Sequence, residues 1–224
     1  MWFLQSGMTL QRAIIIILSI LFTIFFIMPI HEWAHGFVAY KLGDNTAKYN
    51  GRLTLNPLKH IDPLGAAAMI LFRFGWAKPV PIDSRNFKNP KIGMAITAFA
   101  GPLSNLLVAL IAAFLFNIVA YFGMNFIPQY ISIYILTFMY SFININIGLA
   151  VFNLIPLPPL DGSKILGAFL PDKILYKYYQ NQRYIMIAVF ILLFTGILSM
   201  PLIFIQKLVS QGIMWLASLP FPSF

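Results

Sequence analysis

The sequence contains no cysteine, so it can form no disulfide and offers no thiolate to a metal ion. Charge is also scarce: Asp, Glu, Lys and Arg make up 9% of the 224 residues, only six residues are acidic, and 60% are hydrophobic. An average soluble domain carries about 25% charged residues. This composition excludes an ordinary soluble domain and predicts an integral membrane protein.

Long apolar runs take the place of the missing charge. Four of them approach or exceed the roughly 20 residues that a helix needs to cross the hydrocarbon layer, and they lie at 13–30, 92–122, 131–155 and 185–206. Two shorter apolar pieces, at 63–77 and 208–219, are typical of re-entrant or interfacial segments. We therefore predict an all-α polytopic membrane protein with four transmembrane helices. The C-terminal piece is a candidate fifth segment that either crosses the membrane or lies along it.

The basic residues are concentrated in two loops between these runs. Nine of the fifteen lie between positions 41 and 91, and four more lie between 164 and 183. The positive-inside rule places both loops in the cytoplasm, so the first and third spans run inward and end at the cytoplasmic side. The formal charge of +9 is spread over these loops without the clustered basic face that nucleic-acid binding needs, so no nucleic-acid partner is predicted.

The first apolar run leads directly into His31, Glu32 and His35, which form an H-E-x-x-H motif. Residues four apart on a helix lie on one face, about 6 Å apart along the axis, so both imidazoles can reach one metal ion. Glu32 then lies beside the metal, where a carboxylate can take a proton from water, as in metalloproteases. Ionisable groups within an apolar span are costly and are therefore functional candidates.

The structural alternative for this motif is a pair of interior histidines with Glu32 bound to a nearby lysine such as Lys41. The chain contains only three histidines and one glutamate, however. With these frequencies the motif arises by chance in roughly 2 of 10,000 such chains, which favours a metal site.

A catalytic zinc site usually has three protein ligands and one open position. The chain has no second glutamate, so the third ligand has to be His60, which can also simply order its loop, or one of the aspartates at positions 44, 62, 83, 161 and 172. We favour Asp161, because the proline-rich segment 155–160 stops the third span and can present a carboxylate at the depth of the histidines. The alternative role of Asp161 is to cap a helix that begins near Ser163.

The H-E-W-A-H sequence at 31–35 and the N-L-I-P-L-P-P-L-D-G sequence at 153–162 together resemble the site-2 protease family of intramembrane zinc metalloproteases. Three further stretches are similar to compact bacterial members of that family that have no soluble sensor domain: L-N-P-L-K-H-I-D-P-L-G at 55–65, G-W-A-K-P-V-P-I at 75–82 and A-G-P-L-S-N at 100–105. The resemblance covers most of the chain.

The resemblance implies one zinc ion held by His31, His35 and Asp161, with Glu32 as the general base of peptide-bond hydrolysis. It also implies that Asn153 is close enough to the zinc to hydrogen-bond a substrate carbonyl or its oxyanion. An interhelical hydrogen bond is the structural alternative for this asparagine.

For the architecture, the resemblance implies a helical core of three spans, and we expect a single membrane metalloprotease domain over 1–224. Its core spans are expected at about 10–42, 92–122 and 131–156, with an additional span at about 185–206. A membrane-associated β-hairpin or re-entrant loop is expected at about 50–82, where an extended edge would pair with substrate.

The expected function is zinc endopeptidase cleavage of transmembrane segments, known as regulated intramembrane proteolysis. The expected location is a bacterial plasma membrane with the active site toward the cytoplasm, and the expected partners are membrane-protein substrates and the lipid bilayer. Two other functions stay open: a divalent-metal transporter, which would need polar groups in the exterior halves of the spans, and a non-catalytic protein that binds membrane helices. The sequence shows none of the paired broken segments of inverted-repeat transporters.

Overall fold

The structure is a computed structural model that describes residues 9–72, 75–123 and 126–221, without the side chains of residues 190, 193 and 194. Its helices are α1 (Leu10–Phe22), α2 (Met28–Lys41), α3 (Thr46–Tyr49), α4 (Pro57–His60), α5 (Pro63–Phe72), α6 (Pro90–Tyr121), α7 (Gln129–Asn153), α8 (Asp161–Gly167), α9 (Asp172–Gln180), α10 (Gln182–Phe194) and α11 (Ser199–Ser218). Four of the described helices are long and apolar enough to cross a membrane: Leu10–Lys41, Pro90–Tyr121, Gln129–Asn153 and Ser199–Ser218. The prediction of an all-α membrane protein with four such helices is confirmed.

The first spanning helix consists of α1, a π-helical stretch at Thr23–Ile27 and α2. Pro29 lies in the first turn of α2, and because proline has no amide hydrogen it cannot continue the regular bonding of the preceding turn. Such π-helical stretches inside α-helices are frequent at functional sites. Here the stretch ends four residues before His31, so the whole H-E-x-x-H motif lies on regular helix.

The fourth spanning helix does not lie where hydropathy alone predicts it. The expected span at 185–206 is divided between α10 and α11, because residues 195–198 form a turn in which Gly196 has a φ of +78°. Glycine adopts this left-handed conformation without the steric cost of a Cβ atom. The apolar piece at 208–219, expected to be re-entrant or interfacial, belongs almost entirely to the 20-residue helix α11.

The region at about 50–82 does not form the expected β-hairpin in its described residues. It contains the short helices α4 and α5, and its antiparallel pairing is a single bridge between Ile61 and Ala77. Pro57 and Pro63 each stand in the first turn of a helix, where a missing amide hydrogen costs nothing. Two positions of the expected re-entrant piece at 63–77, residues 73 and 74, lie outside the described residues.

Helix α6 is the centre of the bundle and packs against α2, α7, α8 and α11. Its buried face carries small residues, among them Ala98, Gly101 and Ala109, which allow the neighbouring helices to approach closely. Its opposite face exposes Leu107 and Ile111, as expected for a surface in contact with lipid. Because α2 and α8 both pack on α6, residues from the first span and from the segment after the third span meet there.

Candidate metal centre

Three side chains from distant parts of the chain meet beside α6. The Nε2 atoms of His31 and His35 are 3.0 Å apart, and the Oδ2 atom of Asp161 is 3.4 Å from the first and 3.2 Å from the second. The three residues expose only 9%, 5% and 7% of their surface. The structure thus brings together the three residues for which the sequence predicts a shared metal ion.

The separations fit a tetrahedral metal ion. Zinc bonds of about 2.0–2.1 Å to nitrogen and oxygen place neighbouring ligand atoms roughly 3.3 Å apart in a tetrahedron, close to the three distances in the structure. Two imidazoles and one carboxylate are also a donor set that zinc accepts, with the fourth position left to water or substrate. The group can therefore hold one zinc ion and keep a place open for chemistry.

Helix α2 brings the two imidazoles together, and α6 makes room for them. The ring centroids of His31 and His35 are 4.7 Å apart and the rings are nearly perpendicular, at 83°. Gly101 of α6 lies directly opposite: a Cβ atom at this position would lie 2.6 Å from Nε2 of His31 and still closer to the ring of His35. Any larger residue would fill the space in which an ion has to fit.

Asp161 reaches the histidines because α7 ends at Asn153 and the proline-rich segment 155–160 turns the chain back toward α6. Helix α8 begins at Asp161 itself, with Leu160 in the N-cap position and no side-chain hydrogen bond at the cap. The capping role considered for Asp161 is therefore not what the structure shows. Its carboxylate faces the two imidazoles instead.

The electrostatics of Asp161 favour its ionised form. Burial by itself raises the pKa of this carboxyl, but its contacts with the two imidazoles and the charge of Lys164 lower the pKa below its usual value. Lys164 is a residue that the sequence reasoning missed. Its Nζ atom lies 3.3 Å from Oδ1 of Asp161, and the acid-to-base spacing of three residues on a helix was the signal that could have found the pair.

The two histidines differ in what holds the far side of their rings. Nδ1 of His35 lies 2.7 Å from the backbone carbonyl oxygen of Thr97. Because a carbonyl only accepts, this nitrogen carries a hydrogen, so Nε2 is the ring nitrogen available to a metal ion, as in most metal-binding histidines. Nδ1 of His31 is buried and has no hydrogen-bond partner among the described residues. Helix α6 thus fixes the tautomer of His35 but not that of His31.

Glu32 lies next to this group and exposes only 8% of its surface. Its Oε2 atom accepts a hydrogen bond of 2.9 Å from the backbone amide of Val80. Lys41, the partner considered for Glu32 if the motif were merely structural, lies elsewhere, with its Nζ atom 5.4 Å from the ring centroid of Phe37. Among the described residues, Glu32 thus has a backbone partner and no ion pair with a lysine.

Asn153 and His60 form hydrogen bonds with backbone carbonyls of residues nearby in the chain. The side-chain amide of Asn153 donates to the carbonyl of Leu149 in the same helix at 3.0 Å, so its role toward a substrate carbonyl stays a prediction. His60 is fully buried, and its Nε2 atom lies 2.8 Å from the carbonyl oxygen of Thr54. It orders its loop, and the metal-competent group found among the described residues does not include it.

The remaining aspartates are engaged elsewhere. Asp44 is fully buried and accepts hydrogen bonds from the backbone amides of Thr46 and Asp83. Burial would raise its pKa, but hydrogen bonds from the Thr46 hydroxyl, the Asn86 side chain and the two backbone amides lower it. Asp62 caps the start of α5, and Asp83 and Asp172 pair with basic side chains.

Comparison with known proteins gives the family of the chain. Residues 117–196, a range that includes Asp161, match the family described as Peptidase family M50. The chain is 41% identical over 192 residues to the Bacillus subtilis protein named "Putative zinc metalloprotease YwhC", which covers 86% of this chain and 84% of the relative. The chain belongs to Peptidase family M50. The predicted membership of the site-2 protease family is thereby confirmed.

Two other relatives are longer than this chain. One is "Putative zinc metalloprotease Rip2" of Mycolicibacterium smegmatis, 30% identical over 137 residues, which cover 59% of this chain and 50% of the relative. The other is "Zinc metalloprotease MJ0392" of Methanocaldococcus jannaschii, 31% identical over 193 residues, which cover 84% and 45%. No solved structure matches the chain significantly. Family membership and the four apolar helices together make the protein a multi-pass membrane metalloprotease that uses zinc.

Proposed function

We propose that this M50 protein is an intramembrane endopeptidase in which His31, His35 and Asp161 hold one zinc ion and Glu32 is the general base. The observation that carries the proposal is the buried carboxylate of Glu32, which is on the same helix as both imidazoles and adjacent to the first of them. A glutamate at this position of an H-E-x-x-H helix has that role in metalloproteases. The spanning helix Leu10–Lys41 supplies His31, Glu32 and His35, which supports a substrate that also lies in the membrane.

Zinc bound by this group would polarise the scissile carbonyl and lower the pKa of the attacking water. The Val80 amide occupies Oε2 of Glu32, so Oε1 is the oxygen that receives the proton of the water. The same carboxyl group then gives a proton to the nitrogen of the leaving amine as the bond between carbon and nitrogen breaks. Glu32 thereby returns to its carboxylate form for the next cycle.

The partner of Glu32 is presented by a segment with few donors of its own. Pro79 and Pro81 have no amide hydrogen, so Val80 carries the only backbone N–H of the three residues. Its side chain is buried as well, with 6% of the residue exposed. Within Pro79–Pro81, the amide of Val80 is therefore the one backbone donor available to Glu32.

This segment is anchored on both sides of Val80. On one side the amide of Lys78 donates to the carbonyl of His60 at 2.8 Å, and its carbonyl accepts from Nη2 of Arg52 at 2.8 Å. On the other side the amide of Asp83 donates to Oδ2 of Asp44, also at 2.8 Å. These anchors support a fixed orientation of the Glu32 carboxylate, which proton transfer requires.

The proposed substrates are membrane proteins with a transmembrane helix that is cut near the cytoplasmic boundary of a bacterial plasma membrane. A helix hides its peptide bonds in its own hydrogen bonds, so it has to unwind locally before attack. The orientation is supported by the basic residues at 41–91 and 164–183, since the loops that flank the site carry most of the positive charge. Water would then enter from the cytoplasmic face.

The decisive experiment compares the native protein with the Glu32→Gln variant in cells that lack the endogenous copy. We expect membrane-protein fragments, identified by proteomics, to accumulate only with the native protein, while both purified proteins bind one zinc ion. Asp172→Asn is the matched control, because it also neutralises one carboxylate but on a side chain that is 90% exposed. Fragments formed equally by Glu32→Gln would contradict the proposal, and zinc flux into vesicles with no cleavage would favour a transporter.

A further inference from the structure

The two oxygens of the Asp161 carboxylate have different partners. Oδ2 faces Nε2 of His31 and Nε2 of His35, at 3.4 Å and 3.2 Å. Oδ1 faces Nζ of Lys164, at 3.3 Å. The carboxylate therefore stands between the candidate metal position on one side and an ammonium group on the other.

The position of Lys164 follows from the helix that both residues share. Asp161 is the first residue of α8, and a residue three positions later lies over it on the same face. The backbone at this point has little freedom to shift, because a Cβ atom at Gly162 would collide with the backbone carbonyls of Leu154 and Ile155. The remaining freedom of Asp161 is the rotation of its side chain, which Lys164 restrains.

Lys164 borders a cavity of about 810 Å³. Asp172 also lines this cavity and would be an alternative acidic partner, but its Oδ1 atom is 2.6 Å from Nζ of Lys91. Lys91 in turn donates to the carbonyl of Leu170 at 2.9 Å. Among the described residues, Asp161 is thus the acid with which Lys164 pairs.

We infer that Lys164 is a positioning residue that makes Asp161 a ligand through one oxygen. A carboxylate can bind a metal ion through one oxygen or through both. Binding through both would occupy the position that a catalytic zinc site keeps open. By engaging Oδ1, the ammonium group leaves Oδ2 alone for the ion and preserves the open place. The inference rests on the ligand set of the proposed function.

The charge of Lys164 has the opposite effect on zinc affinity, because a positive group repels the ion. The side chain of Lys164 is 35% exposed, however, so water and salt screen this repulsion. Loss of a hydrogen-bond partner behind a metal ligand typically weakens metal binding by about 10- to 100-fold. We therefore expect removal of Lys164 to weaken zinc binding and not to strengthen it.

The test uses the full chain purified in detergent, with no substrate present. In Lys164→Met we expect zinc to be lost to a competing chelator at an affinity about 10- to 100-fold below the native one, and Lys164→Arg to restore most of it. The absorption spectrum of the Co²⁺-loaded protein should change in the methionine variant, because a second carboxylate oxygen enters the coordination sphere. Lys88→Met is the matched control, since Lys88 lines the same cavity and the described structure records no ion pair for it.

Native affinity and a native Co²⁺ spectrum in Lys164→Met would overturn the inference, as would zinc binding that becomes tighter. Thermal unfolding of each metal-free variant distinguishes a misoriented Asp161 carboxylate from a loss of folding, because only a loss of folding lowers the metal-free Tm. The readout is independent of proteolysis. Failure of this inference therefore leaves the protease proposal standing, whereas inactivity of the native protein would leave the zinc measurement intact.

Discussion

The backbone amide of Val80 donates a 2.9 Å hydrogen bond to Oε2 of Glu32, a residue 48 positions earlier in the chain. The contact ties the loop that follows the first spanning helix to the acid beside the metal centre. It also assigns different tasks to the two carboxylate oxygens, one held by the loop and one free for the proton. The loop is in this way part of the proposed active site.

Replacing Val80 by proline removes the only backbone donor between Pro79 and Pro81. We expect kcat to fall by about 100-fold, because a misplaced general base loses much of its effect, with little change in KM or in zinc content. The measurement is steady-state cleavage of a reporter substrate identified by the fragment proteomics. Val80→Ala keeps the amide hydrogen and should retain most of the native kcat; equal losses in both variants would show that the side chain, and not the hydrogen bond, matters.

Gly101→Ala introduces a methyl group into the space between the two imidazoles. The added Cβ would lie 2.6 Å from Nε2 of His31, so the rings have to move and the ligand set opens. We expect zinc affinity to fall by at least about tenfold, measured by chelator competition. Gly212→Ala is the control, because a Cβ atom there has no neighbour within 4 Å, and it should bind zinc like the native protein.

The buried carboxylate of Asp44 predicts a loss of stability in acid. Its pKa is lowered in the folded protein, so its contribution is present above the ordinary aspartate value of 3.8 and disappears as the pH falls through the lowered pKa. In Asp44→Asn we expect the free energy of unfolding near neutral pH to fall by about 1–3 kcal/mol, because hydrogen bonds to a charged group are lost. Its Tm in detergent should also vary less over this acidic range, and a native Tm profile in the variant would contradict the assignment.

The absence of cysteine allows the orientation of the chain to be measured with single introduced thiols. Lys88 and Gln129 are both exposed. Lys88 precedes the first residue of α6 and Gln129 is the first residue of α7, so the two positions lie at opposite ends of α6. We expect Lys88→Cys to react with an impermeant maleimide only from the cytoplasmic side and Gln129→Cys only from outside, as the distribution of basic residues predicts. The reverse pattern would place the proposed active site at the exterior face.

Several features of the fold follow from the sequence alone. The apolar runs predict membrane helices because a helix satisfies all its backbone polar groups within lipid. The H-E-x-x-H spacing predicts two converging imidazoles because helix geometry is local and regular. Hydropathy does not reveal the break at 185–206, however. A turn made by one glycine with positive φ hardly changes the average hydrophobicity of the stretch. At 50–82 the sequence left a β-hairpin and a re-entrant loop both open, because strands and short helices can have similar apolar content.

Residue type and position alone made His31, Glu32, His35 and Asp161 candidates. Only the tertiary structure decided that Asp161, 126 residues after His35, reaches the same point, since this depends on how α2 and α8 pack on α6. Only the tertiary structure also revealed the contact between Val80 and Glu32, because almost every residue type has a backbone amide and the residue type therefore does not indicate its partner. The periodicity of a helix can be determined from the sequence, whereas contacts between distant residues depend on the packing of the whole bundle.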